Sequence, residues 1–287
     1  PAAGARHVLR EGGVWMDMGA DPATTQQLLA LHVPDPKGHV VVGVGLFPGL
    51  LTMLGGYVAE LVSPCERIDL GVRLSTLSGA GRGSCRVMVE MLRQPGLDFV
   101  GGKQRERPAF GDARPIPYLG TGLAASTAVT LADTVLVRRV SQAPAVASHL
   151  ALVPSWLRPL FVVSQWVIER AGPLRELVLG LTYRALLALR SLALRWLDTR
   201  VQLTAVANAG CANETVRALD FASGVQGTAL GTAAVVLLWR DIEAPPPGTH
   251  SAAGLFGLDE ALVRLTHAGL TPPRLVDPTA EPRSLHP

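Results

Sequence analysis

Two predicted strands near the start of the chain end in residues that suit the wall of a ligand pocket. Residues 14–18 include Asp17, and residues 39–44 lead into a glycine-rich corner that contains Gly43 and Gly45. In open α/β sheets, ligands bind beyond the carboxyl ends of the strands, so both ends are predicted to face one pocket. Asp17 either orients a ribose hydroxyl or a substrate amine, or it accepts hydrogen bonds from neighbouring loop amides, as buried carboxylates require.

The glycine-rich corner continues through Phe47, Pro48 and Gly49 to a helix predicted over residues 50–61. Pro48 and Gly49 carry no reactive side chain, but they shape the backbone so that a ligand can approach closely. Phe47 packs either on a bound ring or in the core. The predicted site has a cofactor-binding part, Asp17, Gly43 and Gly45, and a substrate pocket, Phe47, Pro48 and Gly49.

Other motifs that could carry chemistry are weak. The glycine-rich segment 79–84 precedes a helix predicted to end at Leu92, but its third glycine comes one residue too early for G-x-G-x-x-G. We therefore interpret it as a loop. The seven histidines show no paired metal spacing, the three cysteines show no C-x-x-C, and no G-x-S-x-G elbow is present. The sequence thus predicts no metal site and argues against a hydrolase.

The composition narrows the class of protein and partner. The net charge is only +3 and no basic stripe is interleaved with aromatic residues, so nucleic acid is not predicted as a partner. A mean hydropathy of +0.29 raises the question of membrane spans. The long uncharged runs are interrupted by glycine and proline, and we predict no span. The cysteine pattern and the lack of a recognisable secretory signal predict a reduced, cytoplasmic protein.

The first elements alternate between helix and strand. Ala2–Glu11 is predicted as a helix closed by Gly12 and Gly13, and Asp21 followed by Pro22 is predicted to begin a second helix. With the two strands described above, this order implies parallel pairing through right-handed crossovers.

The rest of the chain is predicted to form a mostly antiparallel sheet with one open face, because apolar and polar residues alternate in two of its strands. The predicted strands are residues 68–74, 134–140, 200–204 and 215–221. Residues 103–117 are predicted as a charged, proline-containing loop and residues 242–251 as a linker. The segment after Thr271 is predicted to be frayed.

A helical region is predicted over residues 155–198, with a break near Gly172 and Pro173. Apolar side chains at spacings of three and four form a stripe on its second half, with arginines on the other side. The members of the stripe are Val178, Leu181, Ala185, Leu189, Leu192 and Trp196. The stripe either faces the core, forms a dimer contact, or lies with residues 174–197 on an anionic membrane surface.

Residues 13–18 and 42–50 resemble the end of the nucleotide-binding domain in saccharopine dehydrogenase-like oxidoreductases. The segment 199–232 and the closing segments 254–257 and 265–270 are similar to the same family. The family's first βαβ units, with their glycine fingerprint, have no counterpart here. The chain is therefore expected to be a family member that begins about 100 residues late.

The resemblance implies an α/β plus α+β architecture. Residues 1–52 are expected to form the C-terminal remnant of a Rossmann-type parallel sheet. Residues 53–240 are expected to form a substrate and dimerisation domain, with a mixed or antiparallel sheet and a helical insertion at residues 155–198. Residues 241–287 are expected to form a linker and a C-terminal helix that returns to the Rossmann part. A homodimer is expected from the same assignment.

The resemblance also implies an NAD- or NADP-dependent oxidoreductase that transfers hydride at a carbon–nitrogen bond of a small, amino-acid-like substrate. The chain as given is predicted to bind NAD(P) weakly or not at all, because a pyrophosphate site requires a glycine turn at a helix N-terminus. The alternative is a non-catalytic interaction protein, or a lipid-surface-associated one, that retains the substrate domain.

Overall fold

The computed structural model describes residues 1–75, 82–93, 95–193, 198–243 and 245–280. Within these residues the protein is a mixed α/β structure with a parallel sheet of three strands and a larger mixed sheet of nine, which confirms the predicted Rossmann-like fold class. The strands are β1 (Val14–Asp17), β2 (His39–Val42), β3 (Arg67–Ser75), β4 (Gly96–Val100), β5 (Lys103–Arg107), β6 (Ala113–Tyr118), β7 (Gly122–Val129), β8 (Ala145–Val153), β9 (Val201–Ala207), β10 (Thr215–Phe221), β11 (Gly248–Ser251) and β12 (Arg274–Val276). The helices are α1 (Ala2–Glu11), α2 (Pro22–Leu29), α3 (Leu50–Glu60), α4 (Arg82–Met91), α5 (Ala132–Ser141), α6 (Leu157–Arg170), α7 (Arg175–Ala193), α8 (Gly224–Asp241), α9 (Ala252–Leu255) and α10 (Leu258–His267), with a 3-10 turn (Gly172–Leu174) between α6 and α7.

The small parallel sheet has the order β1-β2-β11. As predicted, α1 ends at Gly12, whose φ of 101° suits a glycine. The Asp21 carboxylate begins α2 by accepting a hydrogen bond from the Thr24 amide at 2.8 Å. Strand β11 lies inside residues 242–251, so the linker prediction is wrong there. Its residues are ordered because they pair with β2 and complete the sheet.

The large sheet has the order β12-β10-β9-β3-β8-β4-β5, and the β6–β7 hairpin joins it at β8. Its central strand β3 is parallel to β8 and antiparallel to β9, and the antiparallel β9–β10 pair agrees with prediction. The prediction of one open face is wrong, because the β6–β7 hairpin covers that face. Ile116 and Tyr118 lie so close to Gly71 that a Cβ there would be 2.7 Å from each of them.

Two other segments have a different secondary structure from the one predicted. Residues 103–117 contain the strands β5 and β6 rather than a single loop. The exposed charges of β5 are tolerated because it is an edge strand, and Arg105 also bonds to Asp98 of β4 at 2.8 Å. Residues 134–140 belong to α5 rather than to a strand. Packing of one face of α5 against α3 outweighs the strand preference of its β-branched residues.

The C-terminal segment is not frayed throughout, because part of it pairs with the large sheet and part packs against helices. Strand β12 pairs antiparallel with β10, and α10 packs against α8 and α3. The prediction of fraying is therefore wrong for Arg274–Val276. Residues 281–287, residues 79–81 of the glycine loop, and Trp196 of the predicted stripe lie outside the described residues.

The helical insertion has the predicted break, but only part of the predicted stripe on α7 faces the core. Val178 and Leu189 of the stripe pack against the core, beside the buried Leu179 and Leu186. The core-facing interpretation is wrong for Leu181 and Leu192, which are more than half exposed.

A buried ion cluster holds β3, β6 and β8 together beneath the β6–β7 hairpin. Asp69 is fully buried and accepts hydrogen bonds from the Arg67 guanidinium at 2.8 and 3.0 Å and from His149 Nε2 at 3.2 Å. Arg114 of β6 lies 3.3 Å from the same carboxylate. Burial by itself would raise the pKa of Asp69, but the hydrogen bonds from His149 and Arg67 hold it at about 2. Burial lowers the pKa of His149, so a neutral imidazole donates to Asp69 near neutral pH.

Candidate functional site

An open cavity of about 800 Å³ lies where the small sheet meets the large sheet. Met18 and Phe47, which follow β1 and β2, border it on one side, and β3, β8 and the start of β9 form its floor. Helices α4 and α8 form two walls. The cavity therefore lies beyond the carboxyl ends of β1 and β2, where open α/β sheets bind their ligands.

The cavity is apolar from its floor to its mouth. Leu46, Val72 and Leu150 are buried at the floor, whereas Val225 and Val236 of α8 line it while being 69 % and 46 % exposed. A volume of this size is ordinary for a small-molecule site, but such sites also carry a few polar groups that fix the ligand's orientation.

Polar groups are few in the described lining, and none of its side chains is charged. The polar members are Ser75, Thr199, Thr228 and Thr232. The hydroxyls of Thr199 and Thr232 donate to backbone carbonyl oxygens at 2.8 and 3.0 Å. The Thr228 hydroxyl makes no hydrogen bond with any residue that the structure describes, and Thr228 lies beside Gly45. Thr228 is therefore the lining hydroxyl best placed to bind a ligand.

Helix α8 is held against the glycine-rich corner by close packing. A Cβ at Gly231 would lie 2.7 Å from the Gly45 carbonyl carbon and closer still to its oxygen, and a Cβ at Gly227 would lie 2.8 Å from the Leu46 side chain. The G-x-x-x-G spacing in the sequence is the signal for this contact. The cavity-facing side of the helix also has a sequence signal, because small and apolar residues recur at spacings of three and four. These residues are Val225, Thr228, Ala229, Thr232, Ala233 and Val236.

Of the six predicted site residues, Phe47 lines the cavity. Asp17 ends β1, but its neighbours Met18 and Ala20 line the cavity in its place. The Asp17 carboxylate accepts a hydrogen bond from the Gly19 amide at 3.1 Å, which is one of the two roles predicted for it. Its contact with a cofactor stays a prediction.

The other four predicted residues lie behind the cavity wall: Gly43, Gly45, Pro48 and Gly49. Gly49 has a φ of 144°, and a Cβ there would lie 2.6 Å from the Gly45 amide nitrogen. These residues shape the corner that presents its neighbours to the cavity, and none of the four borders it. A side chain at Gly49 would therefore disturb the fold rather than fill the pocket. Their contact with cofactor or substrate stays a prediction.

Asp133 of α5 lies outside the cavity lining but contacts the first turn of α3, a contact that the sequence did not reveal because residues 134–140 were predicted as a strand. Its fully buried carboxyl group accepts a hydrogen bond from the Thr52 hydroxyl at 2.7 Å, and its second oxygen has no hydrogen-bond partner among the described residues. Burial raises the pKa of Asp133 to about 7 despite the hydrogen bond from Thr52. The N-terminus of α3 is therefore already in contact with an acidic side chain. In dinucleotide-binding folds, a helix N-terminus holds the pyrophosphate instead.

Neither a metal centre nor a membrane span is found in the part of the chain that the structure describes. No three His, Cys, Asp or Glu side chains there come together in a group that could hold a metal ion. No helix there combines the length and the apolar character needed to cross a bilayer. The cytoplasmic location stays a prediction.

The fold and the cavity together define a Rossmann-like α/β protein with a second, larger sheet of the substrate-domain type. Among solved structures, the chain is similar to an apo, histidine-tagged saccharopine dehydrogenase (L-Glu forming) from Saccharomyces cerevisiae. The match has a TM-score of 0.53 and 11 % sequence identity, and it covers 96 % of this chain and 87 % of that one. Likeness at this identity shows the fold alone. No protein-family model matches the sequence, and no curated protein matches it either.

Proposed function

We propose that this chain belongs to an NAD(P)-dependent oxidoreductase of the saccharopine dehydrogenase-like type. The observation that carries the proposal is the position of the cavity beyond the carboxyl ends of β1 and β2. The nicotinamide ring would enter beside Phe47, where it meets an aromatic side chain. The cofactor would supply the hydride chemistry, while the protein positions it and excludes water.

The structure offers less support for binding of the phosphates of the dinucleotide. The buried Asp133 carboxyl group bonds to Thr52 in the first turn of α3, the first helix after the glycine-rich corner, so a pyrophosphate would have to displace it. We therefore expect the nicotinamide end of the cofactor to bind and the adenosine end to contribute little.

The predicted reaction is hydride transfer at a carbon–nitrogen bond of an amino-acid-like substrate. The fold supports an oxidoreductase in general, and the specific reaction comes from the sequence resemblance alone. An amino acid carries a carboxylate and an ammonium group, which need charged or hydrogen-bonding partners when buried. The described cavity lining has no charged side chain, so the lining does not favour this substrate.

The cofactor proposal predicts a particular pattern of binding. NADPH and reduced nicotinamide mononucleotide should bind the purified chain with similar affinities, in the range of about 1 mM, and ADP-ribose should not bind. The reason is that only the nicotinamide end has a site in the cavity. Calorimetry and nicotinamide fluorescence measure both ligands, and Ala229→Trp, which fills the cavity, should abolish the signal.

Two outcomes would count against the proposal. If neither NADPH nor reduced nicotinamide mononucleotide bound at several millimolar, the oxidoreductase assignment would be wrong. Micromolar binding of NADPH together with ADP-ribose would instead show that this chain holds the pyrophosphate, contrary to the role given to Asp133.

A second candidate function arises from the helical insertion. Helices α6 and α7 pack against each other and both expose apolar side chains. We name these residues, each 45–79 % exposed, the insertion surface: Trp156, Leu160, Val163, Trp166, Leu174, Leu177, Leu181 and Leu192. A monomeric protein rarely exposes a large apolar patch unless it serves an interaction.

The charge around the insertion surface favours one kind of partner. Arg170 lies over the Trp166 ring, 4.4 Å from its centroid. Residues 155–193 contain two glutamates against a larger group of arginines, Arg158, Arg170, Arg175, Arg184 and Arg190. Exposed tryptophans beside arginines suit the boundary between lipid headgroups and acyl chains. We propose, as the second function, that the protein docks on an anionic lipid surface through the insertion surface.

The insertion is also attached to a wall of the cavity. Helix α4, which lines the cavity, packs against α7. Just after α4, Arg93 bonds to Glu176 at 2.7 Å, and Arg175 donates to the Arg93 carbonyl oxygen at 2.7 Å. A protein docked through the insertion surface would therefore hold α4 near the lipid.

Vesicle binding tests the docking proposal. The chain should co-sediment with vesicles that contain phosphatidylserine and not with pure phosphatidylcholine. Each basic residue near the surface contributes about 1 kcal/mol, so the double variant Arg184→Glu, Arg190→Glu should bind at least about 30-fold more weakly than the wild type. The matched control is Arg6→Glu, Arg10→Glu on the exposed side of α1, which should bind like the wild type.

Absence of wild-type binding to the phosphatidylserine vesicles would contradict the docking proposal. Analytical ultracentrifugation should then be run on the same samples. A dimer that dissociates when Leu177 and Leu181 are both changed to serine would assign the insertion surface to a second copy of the chain, the other contact predicted from the sequence.

A further inference from the structure

The cavity contains an unusual combination of size and chemistry. It has room for a small-molecule ligand of ordinary size, yet the described side chains that line it are almost all apolar and none is charged. Substrate sites for amino acids need fixed partners for a carboxylate and an ammonium group, because an unpaired charge in an apolar site is strongly disfavoured. The lining therefore matches a different class of ligand.

Apolar side chains line the cavity from its buried floor to its solvent-exposed mouth. Val72 and Leu150 form the floor of the cavity, and Val87 of α4 and Val236 of α8 also line it, both of them half exposed. Exposed valines at a pocket mouth are costly in water unless an apolar ligand covers them. A ligand with an extended apolar part would fill the floor and cover the mouth together.

One hydroxyl is placed for a single polar group on such a ligand. Thr228 lies beside the glycine-rich corner and has no hydrogen-bond partner among the described residues. Thr232, one turn further along α8, is already bonded to a backbone carbonyl oxygen. The described lining thus offers one free neutral hydroxyl, at the corner, on a surface that is otherwise mainly apolar.

We propose that the cavity binds an uncharged ligand with a long aliphatic chain and one neutral polar group, such as a hydroxyl or carbonyl, which meets Thr228. That this ligand is the substrate rests on the proposed oxidoreductase function, because the polar group would then lie where the nicotinamide enters. The binding itself rests on the cavity lining alone.

The test uses Nile red as an uncharged fluorescent probe and linear alcohols as competitors. The alcohols from octanol to dodecanol should displace Nile red, with affinity rising about fourfold per methylene group until the chain outgrows the cavity. Lysine and glutamate should not displace it. Thr228→Val should weaken dodecanol about fivefold, the loss expected for one neutral hydrogen bond.

Variants at the mouth separate the cavity from other apolar surface. Val236→Arg places a charge at the cavity mouth and Ala229→Trp fills the cavity, and each should weaken dodecanol at least about tenfold. The matched control is Val263→Arg on α10, a similarly exposed helical valine outside the cavity lining, which should leave binding unchanged. Circular dichroism and urea unfolding verify that each variant is folded. Nile red binding that survives Ala229→Trp but is lost in Leu177→Ser, Leu181→Ser would assign the probe to the insertion surface and overturn the proposal.

The result also separates this inference from the cofactor proposal. Displacement by alcohols without any binding of NADPH or reduced nicotinamide mononucleotide would sustain the ligand class while the oxidoreductase assignment fails. Binding of the nicotinamide compounds, with Nile red displaced by glutamate or unaffected by alcohol length, would sustain the oxidoreductase and overturn the ligand class.

Discussion

Gly231→Ala is expected to destabilise the protein by about 3 kcal/mol or more, even though it adds a single methyl group to a helix. The added Cβ would lie 2.7 Å from the Gly45 carbonyl carbon and closer to its oxygen. Both partners are backbone, so neither can rotate away. Helix α8 would have to move off the glycine-rich corner, which opens the cavity wall. Urea unfolding followed by circular dichroism measures the loss.

The matched control is Gly180→Ala in α7. This glycine is also helical, but a Cβ there would meet nothing within 4 Å. Alanine is the better helix former by about 1 kcal/mol, so this variant should be as stable as the wild type or more so. Equal stability of the Gly231 and Gly180 variants would contradict the close contact between α8 and the corner.

Asp69→Asn is expected to cost about 3 kcal/mol at pH 7, because it leaves the Arg67 and Arg114 guanidinium groups without their buried counter-charge. The folded pKa of Asp69 is about 2, below its ordinary value of 3.8. The carboxylate therefore contributes its full stabilisation above pH 3.8 and loses it as the pH falls through 2. The difference in unfolding free energy between wild type and variant should shrink by about 2 kcal/mol as the pH falls from 5 towards 2.

Asp241→Asn is the control for the Asp69→Asn variant. Asp241 also lies beside two arginines, Arg240 at 2.8 Å and Arg264 at 2.7 Å, but on the surface. Solvent screens exposed pairs, so the variant should unfold like the wild type at every pH. A loss for Asp69→Asn that stayed constant from pH 6 to pH 3 would show that the cluster acts through shape rather than through charge.

The elements that the sequence predicted well are those whose signals are local. Asp21 before Pro22 marks the start of α2, and the two strands before the corner are short apolar runs followed by glycine or ending in aspartate. Their parallel pairing followed from the order of elements, and it is observed. Phe47 could be placed at the pocket because the end of a parallel strand has a known relation to the ligand.

The parts that were predicted wrongly depend on contacts distant in sequence. Residues 134–140 have the β-branched composition of a strand, but their partners on α3 are about 80 positions away, as the Thr52–Asp133 bond illustrates. The charged stretch at 103–107 is a strand only because β4 supplies the pairing edge. The contact of Asp133 with Thr52 at the start of α3 was hidden for the same reason.

The cavity could not be predicted from the sequence for a related reason. Its floor comes from β3 and β8, its walls from α4 and α8, and its border from the small sheet, so no single segment of sequence carries its pattern. The individual signals were present, such as the spacing of small residues on α8. Only the fold brings them together into an uncharged lining.

If the docking and ligand proposals both hold, the packing of α4 against α7 has a kinetic consequence. A long-chain ligand leaving a bilayer at the insertion surface would then pass along α4 to the cavity without full exposure to water. The rate of loading would then follow the amount of bilayer to which the protein is bound, rather than the very low aqueous concentration of the ligand. Encounter with the membrane, rather than diffusion of the ligand in solution, would be the slow event.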